Sequence, residues 1–331
     1  MRIALLVNSR PPIASSHSSA LPDDASEEYD GPDAIAAIAQ ALADVGEVTP
    51  LEADRSLARR LDEGAFDFAF NIAEGEGRRC REAHAAAVCE MLKVPFTHSD
   101  ALTLALTLDK TIARRVVSPD VPVAPAVLVN GRHDGPPRLD LRYPVVVKPN
   151  DEGSSKGIRD DSVALDADHA NQLINRVRDL YGCPVLVEQY LPGVEVTVGV
   201  IGNDHGTRVL GMMEIAPAEA TPHFLYSVEA KRAFPERVRY FMPPRLPAST
   251  LRQVEESALT AYRLLGCRDI ARLDFRLDAE ECPRFLECNP LPGLHPDTSD
   301  IVILSQRIVP YDELVRGVLI DAARRHGIAL T

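Results

Sequence analysis

Two alternating apolar–polar stretches near the C-terminal end, joined by a short polar link, constrain this chain more than anything else in it. Ile270-Ala-Arg-Leu-Asp-Phe-Arg-Leu277 reads as a strand with Arg272 and Asp274 on one face, because side chains two apart on a strand point the same way. Phe285-Leu-Glu-Cys-Asn289 reads as a second strand that breaks at Pro290. Its alternation puts Glu287 and Asn289 on one face and Leu286 and Cys288 on the other. The link Asp278–Pro283 is polar and short enough for a hairpin loop. Folding the hairpin brings Asp274, Glu287 and Asn289 together. Two carboxylates and an amide oxygen make a hard, all-oxygen donor set, which suits Mg²⁺ where phosphate oxygens complete the octahedron. Arg272 beside them offers a planar fork for a phosphate or a developing oxyanion. The plain alternative is a hairpin whose polar residues face solvent.

With 331 residues the chain exceeds one small core and fits two or three lobes. Lys plus Arg total 36 against 49 Asp plus Glu, a formal net charge of −13. That balance argues against a nucleic-acid partner, which needs clustered positive charge, though not against a local basic pocket for a polyphosphate. The six Cys show no C-x-x-C spacing, and reduced thiols in a cytoplasmic enzyme follow. No apolar run approaches the ~18 residues of a membrane span, so no membrane partner is expected. Met1–Val7 reads as a first buried strand rather than a leader.

From the N-terminus, strands at Arg2–Asn8, Glu47–Leu51 and Phe66–Ala73 alternate with helices at Asp33–Val45 and Ser56–Glu63. This alternation predicts an α/β lobe with a mainly parallel sheet. The intervening Ser9–Asp30 segment is long for a connection, and such loops are commonly mobile or functional. Helices are expected over Arg81–Leu92 and, as one piece, Leu102–Val117. Pro119, Pro122 and Pro125 then mark a change of character. Strands follow at Ala126–Val129, Pro144–Val147, Val185–Gln189, Val196–Ile201 and Val209–Ile215, with helices at Ala167–Leu180, Thr250–Leu265 and Tyr311–Arg325. The expected division is an N-terminal α/β domain over 1–108, a central lobe over 109–192 and a C-terminal lobe carrying the hairpin over 193–331.

Several stretches suit a nucleotide. The loop Glu152-Gly-Ser-Ser-Lys-Gly157 directly follows a strand. Gly153 and Gly157 permit close backbone approach, and Ser154 and Ser155 add hydroxyls to a row of N–H donors, as a phosphate chain needs. It is not a Walker loop, and by itself it is more often an ordinary hairpin turn. Lys148 at the end of Val145-Val-Val-Lys-Pro149, and Lys110 on a helix, could each reach a phosphate or simply lie at the surface. Backbone groups of Glu188, Gln189, Tyr190 and Leu191 could frame a base edge, and Glu195 could take ribose hydroxyls. Alone, these residues are a strand and a turn.

In this order and spacing, Lys110, Lys148, the 152–157 loop, Glu188, Arg272, Asp274, Glu287 and Asn289 resemble the ATP-grasp superfamily, and most closely the D-alanine–D-alanine ligases. The resemblance is strong from Thr97 to Gly293 and looser before it. It implies an N-terminal Rossmann-like domain followed by two lobes that clamp ATP. It implies ATP and two Mg²⁺ as cofactors, with Mn²⁺ able to substitute. It also implies a reaction in which ATP phosphorylates the first amino acid's carboxylate and the second amino acid's amine attacks the acyl phosphate. Small amino acids or short peptides are the implied partners, and a homodimer the implied assembly.

By that resemblance Lys110 and Lys148 match the lysines on the ATP phosphates, and the Ser154 loop matches the flap over the γ-phosphate. Asp274, Glu287 and Asn289 match the metal ligands. Arg272 matches the arginine on the tetrahedral oxyanion, with Gly293 a backbone donor near it. Lys231 in Val228-Glu-Ala-Lys231 falls at a lysine near the nucleotide. Glu27 matches the acid that holds the first substrate's ammonium, and Thr298 or Ser299 the hydroxyl on the second substrate's carboxylate. Departures lie on the amino-acid side. Arg232 stands where the family has Tyr, and Phe70-Asn71-Ile72 where it has Leu-His-Gly, which puts Asn71 among the substrate residues. An added cation at Arg232 suggests recognition of a second acidic group, and hence a related ligase with a different acid or amine. Readings from other classes are a nucleotide-binding regulatory protein without turnover and a phosphotransferase that stops at the acyl phosphate.

Overall fold

A computed structural model describes residues 1–10, 22–131 and 138–330. Three sheets organise them. The first is parallel, in the order β2 (Glu47–Glu52), β1 (Arg2–Val7), β3 (Phe68–Asn71). Helices α1 (Pro32–Leu42), α2 (Leu57–Gly64) and α3 (Ala83–Leu92) alternate with its strands, as the sequence pattern requires. Pro32 opens α1, where a missing N–H costs nothing. Part of the Ser9–Asp30 segment lies outside the described residues; its second half, from Pro22, forms turns against the central lobe.

The single helix expected over Leu102–Val117 is two helices, α4 (Ala101–Leu108) and α5 (Lys110–Val117). Asp109 leaves the helical region (φ −82°, ψ 96°), and its carboxylate accepts from the Ile112 N–H, capping α5. Arg79 and the Asn150 amide hold the same carboxylate, so the break is fixed from outside as well. Lys110 thereby becomes the first residue of α5.

The second sheet is antiparallel, in the order β4 (Ala126–Val129), β7 (Val185–Gln189), β5 (Val145–Pro149), β6 (Val163–Ala164), and β6 was not foreseen. Helix α6 (Ala167–Tyr181) lays Ala170, Leu173, Ile174 and Val177 on Val145, Val147, Val185 and Val187 to make a small separate core.

The third sheet is antiparallel, in the order β10 (Val238–Phe241), β9 (Arg208–Pro217), β8 (Glu195–Ile201), β11 (Ile270–Leu277), β12 (Pro283–Asn289). Between β9 and β10 runs a short helix, α7 (Val228–Arg232). One face of the sheet packs Val196, Val198, Leu273, Phe275 and Phe285 against Val254, Ala258 and Tyr262 of α8 (Ala248–Leu264). The opposite face carries the polar residues of the hairpin. Strict alternation fails in the hairpin: the β11–β12 register slips between Asp274 and Phe275, leaving Leu286 as the extra residue of a bulge. Phe285 and Cys288 both enter the core, while Leu286 joins Glu287 on the cavity side rather than opposing it.

Helices α9 (Asp300–Ser305) and α10 (Tyr311–Arg325) end the chain. Leu314, Val315, Val318 and Leu319 of α10 share one core with Ile3, Leu5 and Val7 of β1 and Ile38 and Leu42 of α1. Among the described residues no helix is long and apolar enough to cross a membrane.

Candidate active site

The polar face of the third sheet meets the second sheet across a cleft. Its wall on one side is Val146, Lys148 and Glu188; on the other it is Glu195, Thr197, Asp274, Arg276 and Glu287. The hairpin does what its alternation predicts. Asp274 lies directly across from Glu287, and Arg272 directly across from Asn289. The three oxygen-bearing side chains therefore share one face of two adjacent strands.

Each of these charges is compensated. Arg272 donates from Nε to the Asp274 carboxylate at 3.0 Å, and its fork lies 3.6 Å from Glu287 and 3.4 Å from Asp300. Thr197, on the neighbouring strand, donates to the other oxygen of Asp274 at 2.8 Å. Lys110 reaches Glu287 at 3.1 Å and donates to the Glu152 carbonyl. Burial would raise the Glu287 carboxyl, but Lys110 and Arg272 outweigh it and hold the group at about 2. Asp274 moves the other way: burial and the Glu287 charge raise it despite Arg272. Asn289 accepts only the Leu291 N–H at 2.9 Å, which leaves acceptor capacity on its oxygen. Two carboxylates and an amide oxygen on one face, with no sulfur or imidazole among them, fit a hard divalent cation.

Lys148 is not a surface lysine. It is 6% exposed and pairs with Glu188 at 2.7 Å, while Arg114 binds the other side of the same carboxylate. The Glu188 side chain is thus spent on an internal ion-pair triad, and its backbone lies within the sheet between β4 and β5. The Gln189 and Tyr190 N–H groups already donate to the Pro125 and Pro144 carbonyls. Gln189, Tyr190 and Leu191 nonetheless line the cleft beside Glu195. Glu195 pairs with Arg276 at 3.2 Å, yet burial lifts its carboxyl to about 7. Arg276 extends the Arg272/Asp274 alternation by one step and was legible on that basis, whereas Thr197 reaches Asp274 from the neighbouring strand β8.

The 152–157 loop lies over the cleft and departs from the simple phosphate cradle. Ser154 and Ser155 both take left-handed φ (48° and 61°). Ser155 lines the cleft, and its hydroxyl donates to the Tyr226 carbonyl at 2.9 Å. Ser154 opens instead on the adjoining cavity. The Gly153 N–H donates to Glu28 at 2.6 Å and the Gly157 N–H to Asp24 at 2.9 Å, so two of the expected anion donors are already engaged. Gly157 serves packing: a Cβ there would sit 2.4 Å from Pro149. Glu152 pairs with Lys156 at 2.6 Å and with Arg81 at 3.2 Å.

A second cavity of roughly 380 Å³ continues from the cleft past Tyr226, Lys231 and Arg272. Asn289, Gly293, Thr298 and Ser299 line its far side, and Glu27 and Arg232 its near side. Lys231 lies 4.8 Å over the Tyr226 ring; burial and the Arg272 charge lower it. Ser299 accepts from the His295 N–H at 2.8 Å. Tyr226 and Tyr240 meet at their hydroxyls, and Tyr226 donates to Asp300 at 3.1 Å; none of the three was foreseen, since α9 and β10 carry weak local signals.

Two expectations are corrected. Asn71 lines neither cavity: it is fully buried on β3, where its N–H donates to Thr97 and its side-chain oxygen accepts from Ala73. Arg232 is not a spare cation for an acidic substrate. Its guanidinium donates to Glu27 at 2.7 and 3.0 Å, to the Asp23 carboxylate at 2.8 Å and to the Asp23 carbonyl at 3.0 Å. The strap that includes residues 23–28 takes up four of the five guanidinium N–H groups.

The family model for the D-ala D-ala ligase C-terminus matches residues 137–320. A D-alanine–D-alanine ligase of Methylocella silvestris is 35% identical over 296 residues, 87% of this chain and 92% of that protein. One of Chelativorans sp. is 34% identical over 281 residues, 83% of this chain and 87% of that protein. Among solved structures, a Bacillus anthracis D-alanine–D-alanine ligase complexed with ATP superposes with a TM-score of 0.73 at 19% identity, covering 99% of this chain and 98% of that one. The VanG D-Ala:D-Ser ligase of Enterococcus faecalis gives 0.70 at 18% identity, covering 97% and 99%. At such identities the two structures speak for the fold alone.

Proposed function

The chain belongs to the D-alanine–D-alanine ligase family, with the ATP-grasp fold, and on that premise we propose how its own residues run an ATP-dependent, ADP-forming ligation of a carboxylate to an amine. Two small amino acids are the substrates, D-alanine being the first to try because the relatives carry that name. Lys148 and Lys110 bind the phosphates of ATP, the backbone of Gln189–Leu191 receives the base, and Glu195 the ribose. Asp274, Glu287 and Asn289 hold Mg²⁺, or Mn²⁺ in its place. When bound, the metal neutralises phosphate charge during transfer. Arg272, with the Gly293 backbone, faces the negative oxygen of the tetrahedral adduct. Lys231 sits where the two cavities join and Ser154 on the adjoining cavity, and together they position the acyl group. The 152–157 loop keeps water from the acyl phosphate. Glu27, Thr298 and Ser299 orient the amino acids. The cytoplasm supplies the ATP, and a homodimer is the assembly the family suggests.

The observation that carries this reading is the Asp274–Glu287 cross-strand pair, with Arg272 and Lys110 bridging it to the loop. The test is ADP release against a matrix of amino acids, with mass spectrometry of the product. Glu287→Gln is expected to lower kcat/KM for Mg-ATP by about a hundredfold or more while the circular dichroism spectrum holds. Unchanged turnover removes the metal assignment.

A further inference from the structure

We propose that Cys267 and Cys288 are a redox modification site: a hydroperoxide that enters beside Cys267 converts the two thiols into a disulfide, and the closure draws Glu287 and Asn289 away from Mg-ATP. The disulfide stands apart from the ligase reading, whereas its effect on Mg-ATP rests on it.

The two sulfurs lie 3.5 Å apart, although 21 positions separate them in the chain. Both are free thiols, 8% and 5% exposed, in the core between the third sheet and α8. A disulfide holds its sulfurs about 2 Å apart, so closure asks for an approach of about 1.5 Å. Cys80 and Cys282 are more exposed, but among the described residues no other two sulfurs meet. Cys267 also has a way in. It lines an open cavity of roughly 700 Å³ at the end of α8, which shares no residue with the cleft or the cavity that adjoins it.

The Cys267 sulfur attacks one peroxide oxygen, the O–O bond breaks, and the departing hydroxide takes the thiol proton as water. Arg263 and Arg268 line the same cavity, and their charge favours that hydroxide. The Cys288 sulfur then attacks the sulfenic sulfur, and its proton leaves with the hydroxyl as a second water. Two thiols give up two electrons and two hydrogens to the peroxide. In a reducing compartment such a pair closes transiently, as a sensor rather than a permanent staple.

The two flanks of the pair differ in freedom. The turn carrying Cys267 is fixed from several directions. The Cys267 N–H donates to the Tyr262 carbonyl at 3.0 Å and the Arg268 N–H to the Ser99 hydroxyl at 3.0 Å, while the Leu265 and Gly266 carbonyls accept from Thr103 at 3.1 Å. Cys288 sits on β12, which is the edge of its sheet, pairs with β11 alone and is already bulged at Leu286. β12 is therefore the side that yields. Glu287 and Asn289 flank Cys288, so a pull toward Cys267 draws both donors back from the face they share with Asp274.

Hydrogen peroxide on the full chain is the probe. The readouts are a peptide map of the cysteines, calorimetric Mg-ATP binding and ADP release. The expected result is a Cys267–Cys288 cross-link, a Kd and KM for Mg-ATP raised by about tenfold or more, and recovery with dithiothreitol. Cys267→Ala should keep its Mg-ATP affinity under the same treatment. Free thiols at 267 and 288, at a dose that has oxidised the exposed Cys80 and Cys282, overturn the proposal. A cross-link that leaves Mg-ATP binding unchanged overturns it too, as does a Cys267→Ala variant that loses affinity like the parent. Should that variant fail to fold, the map and the binding of the unsubstituted protein decide. Absence of ADP release from the reduced protein with every amino-acid pair overturns the ligase reading alone, because the cross-link and nucleotide binding are read without turnover.

Discussion

Asp30 shows what the cavity wall costs the folded protein. Burial outweighs the charges of Arg10 and His295 and raises its carboxyl from 3.8 to about 7. For such a group the folded state holds the proton more tightly than the unfolded one. The associated stability is fully present below about pH 4 and is lost as the pH rises through 7. Asp30→Asn removes the titration. The variant is therefore expected to exceed the parent in stability by about 1–3 kcal/mol at pH 8 and to match it near pH 4, as urea melts at the two values would show. A variant weaker at pH 8 would mean that Arg10 and His295 neutralise Asp30 after all. Glu287 is the opposite case: its carboxyl is held at about 2 and is charged throughout the working range. The cleft and the cavity that adjoins it thus hold acids tuned in opposite directions.

At the scale of elements, the strap including residues 23–28 controls the 152–157 loop. Asp24 is fully buried and accepts from the Gly157 N–H at 2.9 Å and the Tyr181 hydroxyl at 2.7 Å, with Arg159 at 3.2 Å. Asp24→Ala leaves these donors without their acceptor, a loss of about 1–3 kcal/mol. The loop should open, and ADP release uncoupled from product should rise, as water reaches the acyl phosphate. Measuring ADP against ligated product checks this; an unchanged ratio would mean the strap does not govern closure.

The hairpin, α10 and the parallel first sheet were legible because their periodicities are strong and local. The broken helix at Asp109 was not, because Arg79 and Asn150 help to hold that break from distant parts of the chain. Nor was the side taken by Leu286, since one bulge inverts the alternation. The roles of Arg232 and Asn71 were misread for a common reason. Resemblance supplies the position of a side chain, whereas its partners, Asp23 and Glu27 or Thr97, come from segments that no local pattern connects to it.

Over the whole molecule, the first sheet does not own its core. Leu319 and Val315 of α10 are fully buried against residues of β1 and α1, and Arg325 near the end of α10 reaches Asp269 at 2.9 Å as well as the Phe96 and His98 carbonyls. Leu319→Ala should cost about 2–5 kcal/mol. It should lower one cooperative transition that includes both ends of the chain, observable by calorimetry with hydrogen exchange of β1 and α10 amides. Loss of protection in α10 alone would contradict a shared core.

That shared core dictates an order of assembly during synthesis. Ile3, Leu5 and Val7 leave the ribosome long before α10, the helix that covers them. Until then the nascent strand presents an oily stripe with nothing to cover it, and a chaperone that shields it for the length of translation would raise the yield of active enzyme.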